Sequence, residues 1–170
     1  MAIMRFTQIR DKSGAGSRHK NEGTGMSLHY KVVAETLIDA SAERVWAILT
    51  DFAGYDDWNP MLTEMSGKPE VGSDLRFIVT DAKGSRRRMG GKVHEVIPGR
   101  RLEWRGGNPV TFIGHHFFEL HPVGETTRFI HGEVYFGLGP LFLRPVLNAR
   151  AAPLYPALNE ALKARAEAQE

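Results

Sequence analysis

The sequence predicts an α+β domain: a curved antiparallel sheet of about seven strands, covered by a long C-terminal helix, with two short helices after the first strand. Three observations carry that reading. From Leu147 onward the apolar residues fall at Leu147, Ala151, Leu154, Leu158, Leu162 and Ala166, a spacing that draws one stripe along a helix. Between Tyr30 and Gly137 most segments alternate apolar and polar residues with the period of half-buried strands. A helix that follows a meander of strands must lie across the sheet, because each needs its apolar face covered.

At 170 residues the chain is long enough for one domain with a proper core. A hydrophobic fraction of 42% and a charged fraction of 25% place it among ordinary soluble domains. It contains no cysteine, which excludes a disulfide framework, a thiolate metal site and a cysteine nucleophile. No apolar run approaches the roughly 20 residues that span a bilayer. A formal charge of +2 gives no ground for a nucleic-acid partner. The expectation is a cytoplasmic protein, monomer or homodimer, with neither membrane insertion nor a cofactor.

Residues 1–27 stand apart. The stretch from Asp11 to Gly25 is rich in Gly, Ser, Lys and Arg without an apolar period, so a disordered extension is expected ahead of a domain over 28–170. Tyr30–Ile38 reads as the first strand. Ser41 is a good N-cap for a helix with Val45, Ile48 and Leu49 inward, and Glu43 in the first turn suits the helix dipole. Asp51–Pro60 breaks the period into a tight turn with one further helical turn. Six strands follow: Met61–Gly67, the segment around Leu75–Thr80, Arg86–Ile97, Arg101–Arg105, and two with the clearest alternation. Phe112, Gly114, His116, Phe118 and Leu120 share one face of the first of these; Phe129, His131, Glu133 and Tyr135 share one face of the second. Gly90-Gly91 in mid-strand is read as a bulge. In the closing helix, Glu160, Lys163 and Glu167 face water, and Pro145, Pro153 and Pro156 predict a break near Ala152–Pro156.

The order of elements and several strings resemble the START-like, or SRPBCC, superfamily of polyketide cyclases and aromatases, lipid-transfer proteins and plant pathogenesis-related ligand binders. The strings are Ile38–Trp46 (IDASAERVW), Leu49–Phe52 with Trp58-Asn59-Pro60, Pro98–Trp104 (PGRRLEW), His116–Leu120 (HFFEL), Thr127-Arg128 with Glu133 and Gly137, and Leu158–Lys163 (LNEALK). The resemblance spans about residues 28–168. It implies a helix-grip fold, with an elongated, mostly apolar cavity between sheet and C-terminal helix, and a small hydrophobic ligand such as a lipid or polyketide. It does not imply catalysis, since a common fold does not fix function. Phe77, Met89, Val93, Trp104, Phe118, Phe129, Tyr135, Leu154 and Leu158 are the expected lining, with Trp58 as a wall. Asn59, His116, His131 and Glu133 are the expected polar points.

His116, His131 and Glu133 are also the candidate catalytic group. If Phe118 pairs with Phe129, then His116 stands opposite His131 with Glu133 two residues along on the same face. Such a group serves as a self-satisfied buried network, as an orienting site for a ligand carbonyl or hydroxyl, or as a general acid or base. His115 and His116 point to opposite faces and cannot chelate one ion; His116, His131 and Glu133 could supply two nitrogens and an oxygen, but nothing in their spacing demands a metal, and none is expected. The run Arg86-Arg87-Arg88 is read as a solvated edge, with Arg86 and Arg88 able to reach a cavity mouth. No phosphate-binding glycine loop, Ser-His-Asp order or G-x-S-x-G elbow is present. Three functions stay open: a binder of a small hydrophobic or aromatic molecule, a cyclase, aromatase or dehydratase using His116 or His131, and a regulatory or interaction module. The last predicts an exposed apolar patch around Ile113 and Phe117.

Overall fold

The computed structural model describes residues 29–108 and 112–168. The extension expected over 1–27 lies outside the described residues. The first strand, β1, runs His29–Ile38, and Ser41 then starts α1 (Ala42–Thr50) with its hydroxyl accepting the Arg44 N–H at 3.2 Å. Val45 and Leu49 are buried; Ile48 and Trp46 are half-buried. A short 3-10 helix follows at Phe52–Asp57, anchored by the buried Tyr55 hydroxyl, which donates to the Leu49 carbonyl at 2.7 Å.

The remaining strands are β2 (Leu62–Ser66), β3 (Asp74–Thr80), β4 (Arg86–Ile97), β5 (Arg101–Asn108), β6 (Phe112–Val123) and β7 (Thr126–Phe136). They form one antiparallel sheet in the order β1-β7-β6-β5-β4-β3-β2. The chain then makes α2 (Gly139–Arg150), turns through residues 151–153, and makes α3 (Leu154–Glu167). Pro153 sits at the N-cap of α3, and Pro156 falls in its first turn, where a missing N–H removes no bond. The helix therefore breaks slightly earlier than its prolines predicted. The second half is the part the sheet grips: Leu158, Leu162 and Ala166 are buried, whereas Phe142, Leu143 and Val146 of α2 are exposed. No helix among the described residues is long and apolar enough to cross a membrane.

Several expectations are corrected by the register and packing. In the β6–β7 hairpin, Val123 pairs with Thr126 around a two-residue turn whose first central residue, Gly124, has φ +61. That turn sets Leu120 opposite Phe129, Phe118 opposite His131, and His116 opposite Glu133 rather than opposite His131. Gly90 and Gly91 form no bulge; β4 pairs regularly with β3 there, and the irregularity falls between Val93 and Glu95. These glycines are required by close backbone approach instead. A Cβ on Gly90 would lie 2.9 Å from the Leu75 carbonyl oxygen, and one on Gly91 would lie 2.9 Å from that of Arg105.

Lys163 and Glu167 do not simply face water. Lys163 donates to the Leu37 carbonyl at 3.0 Å, and Glu167 accepts the Asp39 N–H at 2.6 Å, which pins α3 to the end of β1. On the outer sheet face Phe117 is buried, because the side chains of Lys31 and Arg101 lie over its ring. Of the patch expected around Ile113 and Phe117, Phe117 is thus covered and Ile113 is half-buried.

Candidate ligand cavity and its polar end

A cavity of about 170 Å³ lies between the sheet and the α2–α3 junction. Its floor follows from one cross-strand row. Gly91, Gly106 and Gly114 are successive partners across β4, β5 and β6, and the row ends at Tyr135 on β7. They share the inward face with Val93, Trp104 and His116, each two residues away. Three neighbouring strands thus present no side chain where the helix would otherwise meet them. Met61, Leu62, Phe77, Val79, Trp104 and Phe112 form the walls, and Val146, Leu147, Ala151 and Leu154 the roof.

One end of this space is polar. Glu133 Oε2 accepts the hydroxyls of Tyr155 at 2.6 Å and Tyr135 at 3.0 Å, and lies 3.3 Å from His116 Nδ1. Its other oxygen, Oε1, lies over Gly114, where any Cβ would overlap it. Glycine at 114 is what lets the carboxylate lie there. His116 stacks on Trp104 with ring centres 4.6 Å apart and planes inclined by 14°. Its Nε2 stands 3.0 Å from His131 Nε2. His131 is fully buried and continues the chain to Asn159 Oδ1 at 3.2 Å, and the Asn159 amide lies 3.4 Å from Thr36 Oγ1.

Burial holds the His131 imidazole well below the ordinary histidine range, and the charge of neighbouring His116 pushes the same way. His131 is therefore neutral. Burial acting alone would raise the Glu133 carboxyl, but the hydrogen bond and charge of His116, with the two tyrosine hydroxyls, outweigh it and hold the group below the usual carboxylate range. Tyr135 and Tyr155 are pushed well above the ordinary phenol value, first by burial and then by the Glu133 charge, so both remain donors. Hydrogen-bond bookkeeping then assigns the histidine hydrogens. Asn159 Oδ1 takes the hydrogen of His131 Nδ1, which leaves His131 Nε2 as an acceptor for His116 Nε2. His116 Nδ1 faces the Glu133 carboxylate at 3.3 Å. Both ring nitrogens of His116 are thus engaged, one by the Glu133 carboxylate and one by His131, and the ring is held flat against the Trp104 indole.

Of the residues singled out from sequence, Phe77, Met89, Trp104, His116, Glu133, Tyr135 and Leu154 border the cavity. Val93, Phe118, Phe129, His131 and Leu158 are buried in the core around it. Trp58 borders a separate cleft with Ala47, Ile48, Asp51, Gly54 and Arg165. Asn59 is buried at the entry to β2, where its Oδ1 accepts the N–H groups of Met61 and Leu62 at 3.0 and 2.8 Å. Sequence reasoning missed Tyr155, Asn159 and Thr36 in the network, and Asp81, Arg87 and Arg150 at the rim. Tyr155 and Asn159 are four apart on α3, a spacing that puts them on one face and was available as a signal. At the rim it is Arg87, not Arg86 or Arg88, that borders the cavity.

The family described as polyketide cyclase/dehydrase and lipid transport matches residues 29–167. No curated protein matches the chain in sequence. Among solved structures, the Zhui aromatase/cyclase from Streptomyces sp. R1128 is similar at 20% identity and a TM-score of 0.69, over 82% of this chain and 94% of that one. A START superfamily protein from Mycobacterium smegmatis shares 22% identity at a TM-score of 0.63, over 81% and 97%. A protein from Thermus thermophilus shares 20% at 0.65, again over 81% and 97%. At these identities the likeness is one of fold.

Proposed function

Because the chain belongs to the polyketide cyclase/dehydrase and lipid transport family, we propose that it binds a small apolar molecule with a body about the size of one ring in the cavity beneath the α2–α3 junction. The observation that carries this reading is the space itself: about 170 Å³, apolar along its walls and roof, with Glu133 and His116 at its inner end. A dry apolar cavity of roughly 150 Å³ accepts benzene, so the body of the ligand is a single ring or a short aliphatic group. Glu133 Oε1 orients it. The three donors named above all serve Oε2, which leaves the oxygen over Gly114 as the acceptor for a hydroxyl or N–H of the ligand. Burying an aromatic ring removes roughly 200 Å² from water, which at ~25 cal/mol per Å² is about 5 kcal/mol, or a dissociation constant near 0.2 mM before ordering costs.

The test is native mass spectrometry of protein purified from its own host, followed by calorimetric titration with phenol and p-cresol. Met89 borders the space and is 37% exposed, so Met89→Trp obstructs the space without opening the core. Retained or titrated ligand in the parent, lost in Met89→Trp with unchanged stability, supports binding in this cavity. Equal binding by both places any ligand elsewhere.

An enzymatic reading has one observation in its favour: His116 borders the same space with a carboxylate at 3.3 Å. Both of its nitrogens already hold partners, so proton transfer to a ligand would first break the bond to His131 or to Glu133. With a ketone substrate, His116→Ala and His131→Ala would abolish turnover and preserve affinity if the site is catalytic. Binding is the reading we favour.

A further inference from the structure

Strand alternation decides which arginine of the run 86–88 faces the cavity. Met89 and Arg87 lie two apart on β4, opposite Phe77 and Val79 of β3, and all four border the space. Arg86 points to the other face and pairs with Glu64 at 2.8 Å. The Arg87 guanidinium makes no ion pair or side-chain hydrogen bond to any described residue. Arg150, the last residue of α2, borders the same rim with its Nη1 3.0 Å from Asp81 Oδ2, while its carbonyl accepts the Ala82 N–H at 3.0 Å. Two guanidinium groups against one carboxylate give the rim a net charge of +1.

The opposite end presents an acceptor, Glu133 Oε1, to the space. Glu133 stands in the row of His116, Trp104 and Val93. Arg87 is six residues further along β4 toward the 81–85 turn, about 20 Å along the strand at ~3.4 Å per residue, and three strands across; both long side chains shorten that gap and border the same space. A carboxylate finds only another acceptor, Glu133 Oε1, at that end and is attracted at the rim. Any ligand with one acidic and one hydroxyl end therefore has a single favoured orientation. A phosphate dianion would exceed the +1 of the rim and face Asp81; a carboxylate matches it.

We infer, resting on the cavity reading above, that the ligand is a monocarboxylic acid with a single-ring apolar body, its carboxylate at Arg87 and Arg150 and a hydroxyl or N–H at Glu133. Arg87 supplies the free charge. Arg150 holds the loop that frames it and contributes a second, already paired, guanidinium.

The experiment uses matched probes: 4-hydroxyphenylalkanoates of graded chain length and their primary amides, titrated calorimetrically into the full chain. At its best length the acid binds about fivefold tighter than its amide at low salt, the scale of an exposed ion pair, and the preference falls as salt screens it. In Arg87→Gln the ratio drops to about one while the amide binds as before, and in Arg87→Glu the amide is preferred. Equal binding of acid and amide by the parent chain, or a preference that survives Arg87→Gln, overturns the charge assignment and leaves the cavity reading standing. If neither probe of any pair binds, the cavity reading fails and the assignment falls with it.

Discussion

Tyr155→Phe removes one hydroxyl from the polar end and leaves the ring that packs there. That hydroxyl donates to Glu133 Oε2 at 2.6 Å, and its residue is fully buried. A hydrogen bond to a charged acceptor contributes about 1.5–3 kcal/mol. Glu133 keeps the Tyr135 hydroxyl and His116 as donors, so the lower half of that range applies, about 2 kcal/mol. In a chain of this size each kcal/mol lowers the melting temperature by about 3 °C, so the variant melts about 6 °C lower. Urea unfolding followed by tryptophan fluorescence measures the change, with an unaltered m-value showing that the two states compared are the same.

The pH dependence makes the test specific. The bond is strong only while Glu133 is ionised. Its folded pKa lies below the unfolded value of about 4.3. The stability it contributes is therefore fully present above that value and is lost as the pH falls through the folded pKa. The cost of Tyr155→Phe holds steady between about pH 7 and 5 and shrinks below about pH 4. A cost under ~0.5 kcal/mol at neutral pH, or one indifferent to acid, refutes an ionised Glu133 as the acceptor.

Gly114→Ala places a Cβ on Glu133 Oε1, so the carboxylate must move off Tyr155 and His116; a loss of about 2 kcal/mol is expected, together with loss of the binding of hydroxyl-bearing probes. Unchanged denaturation and titration would show that the carboxylate does not lie over this glycine. Arg44 donates from α1 to the Ala166 and Ala168 carbonyls at 2.6 and 2.7 Å, which closes the C-terminal end of α3. Arg44→Met should cost about 1–2 kcal/mol and raise amide exchange in the last turn of α3 above that elsewhere. The folded pKa of His131 lies below its unfolded value of about 6.5, so below that pH the unfolded chain binds the extra proton and stability declines toward the folded pKa. Urea midpoints should be lower at pH 5 than at pH 7.5, and His131→Gln should flatten the difference; parallel declines in both proteins would assign the effect to another group.

The regular elements were legible because the physics behind them is local. Alternation marked the strands, the Ser41 cap marked α1, and the prolines marked the break between α2 and α3. The site was legible only in part, and the misses have separate causes. His116, His131 and Glu133 do share one face, but a pairing of Phe118 with Phe129 lies two residues from the register that a two-residue turn imposes. Gly124 at the first central position of a two-residue turn was the overlooked signal. Tyr155 and Asn159 were missed because the apolar stripe was drawn through the leucines beside them; a tyrosine and an asparagine on a buried helix face need polar partners, and Glu133 and His131 supply them. Arg87 was missed although it follows from a residue already placed, since an inward Met89 on a regular strand requires an inward Arg87.

The space itself is the feature least visible in the sequence, because it arises from two absences that coincide. A row of three inward glycines on its own is filled when an overlying helix settles closer. A helix broken at proline on its own leaves its freed segment to settle onto whatever side chains the sheet presents. Here the row Gly91, Gly106 and Gly114, of which Gly106 and Gly114 border the cavity, lies near the junction where Ala151–Pro153 interrupts the helix. Close strand approach prevents the sheet from gaining side chains, since a Cβ at Gly106 would overlap the Gly90 carbonyl. The helix cannot descend either. Arg150 is tied to Asp81 and Ala82 at one side, and the Tyr30 hydroxyl donates to Asn148 at the other, so α2 is held at both flanks. Under α3, where neither condition holds, Phe118, Phe129 and Leu158 are completely buried and no space remains. The cavity is consequently short and confined to one end of the sheet, a shape that favours a single ring over a lipid chain or a fused polycycle.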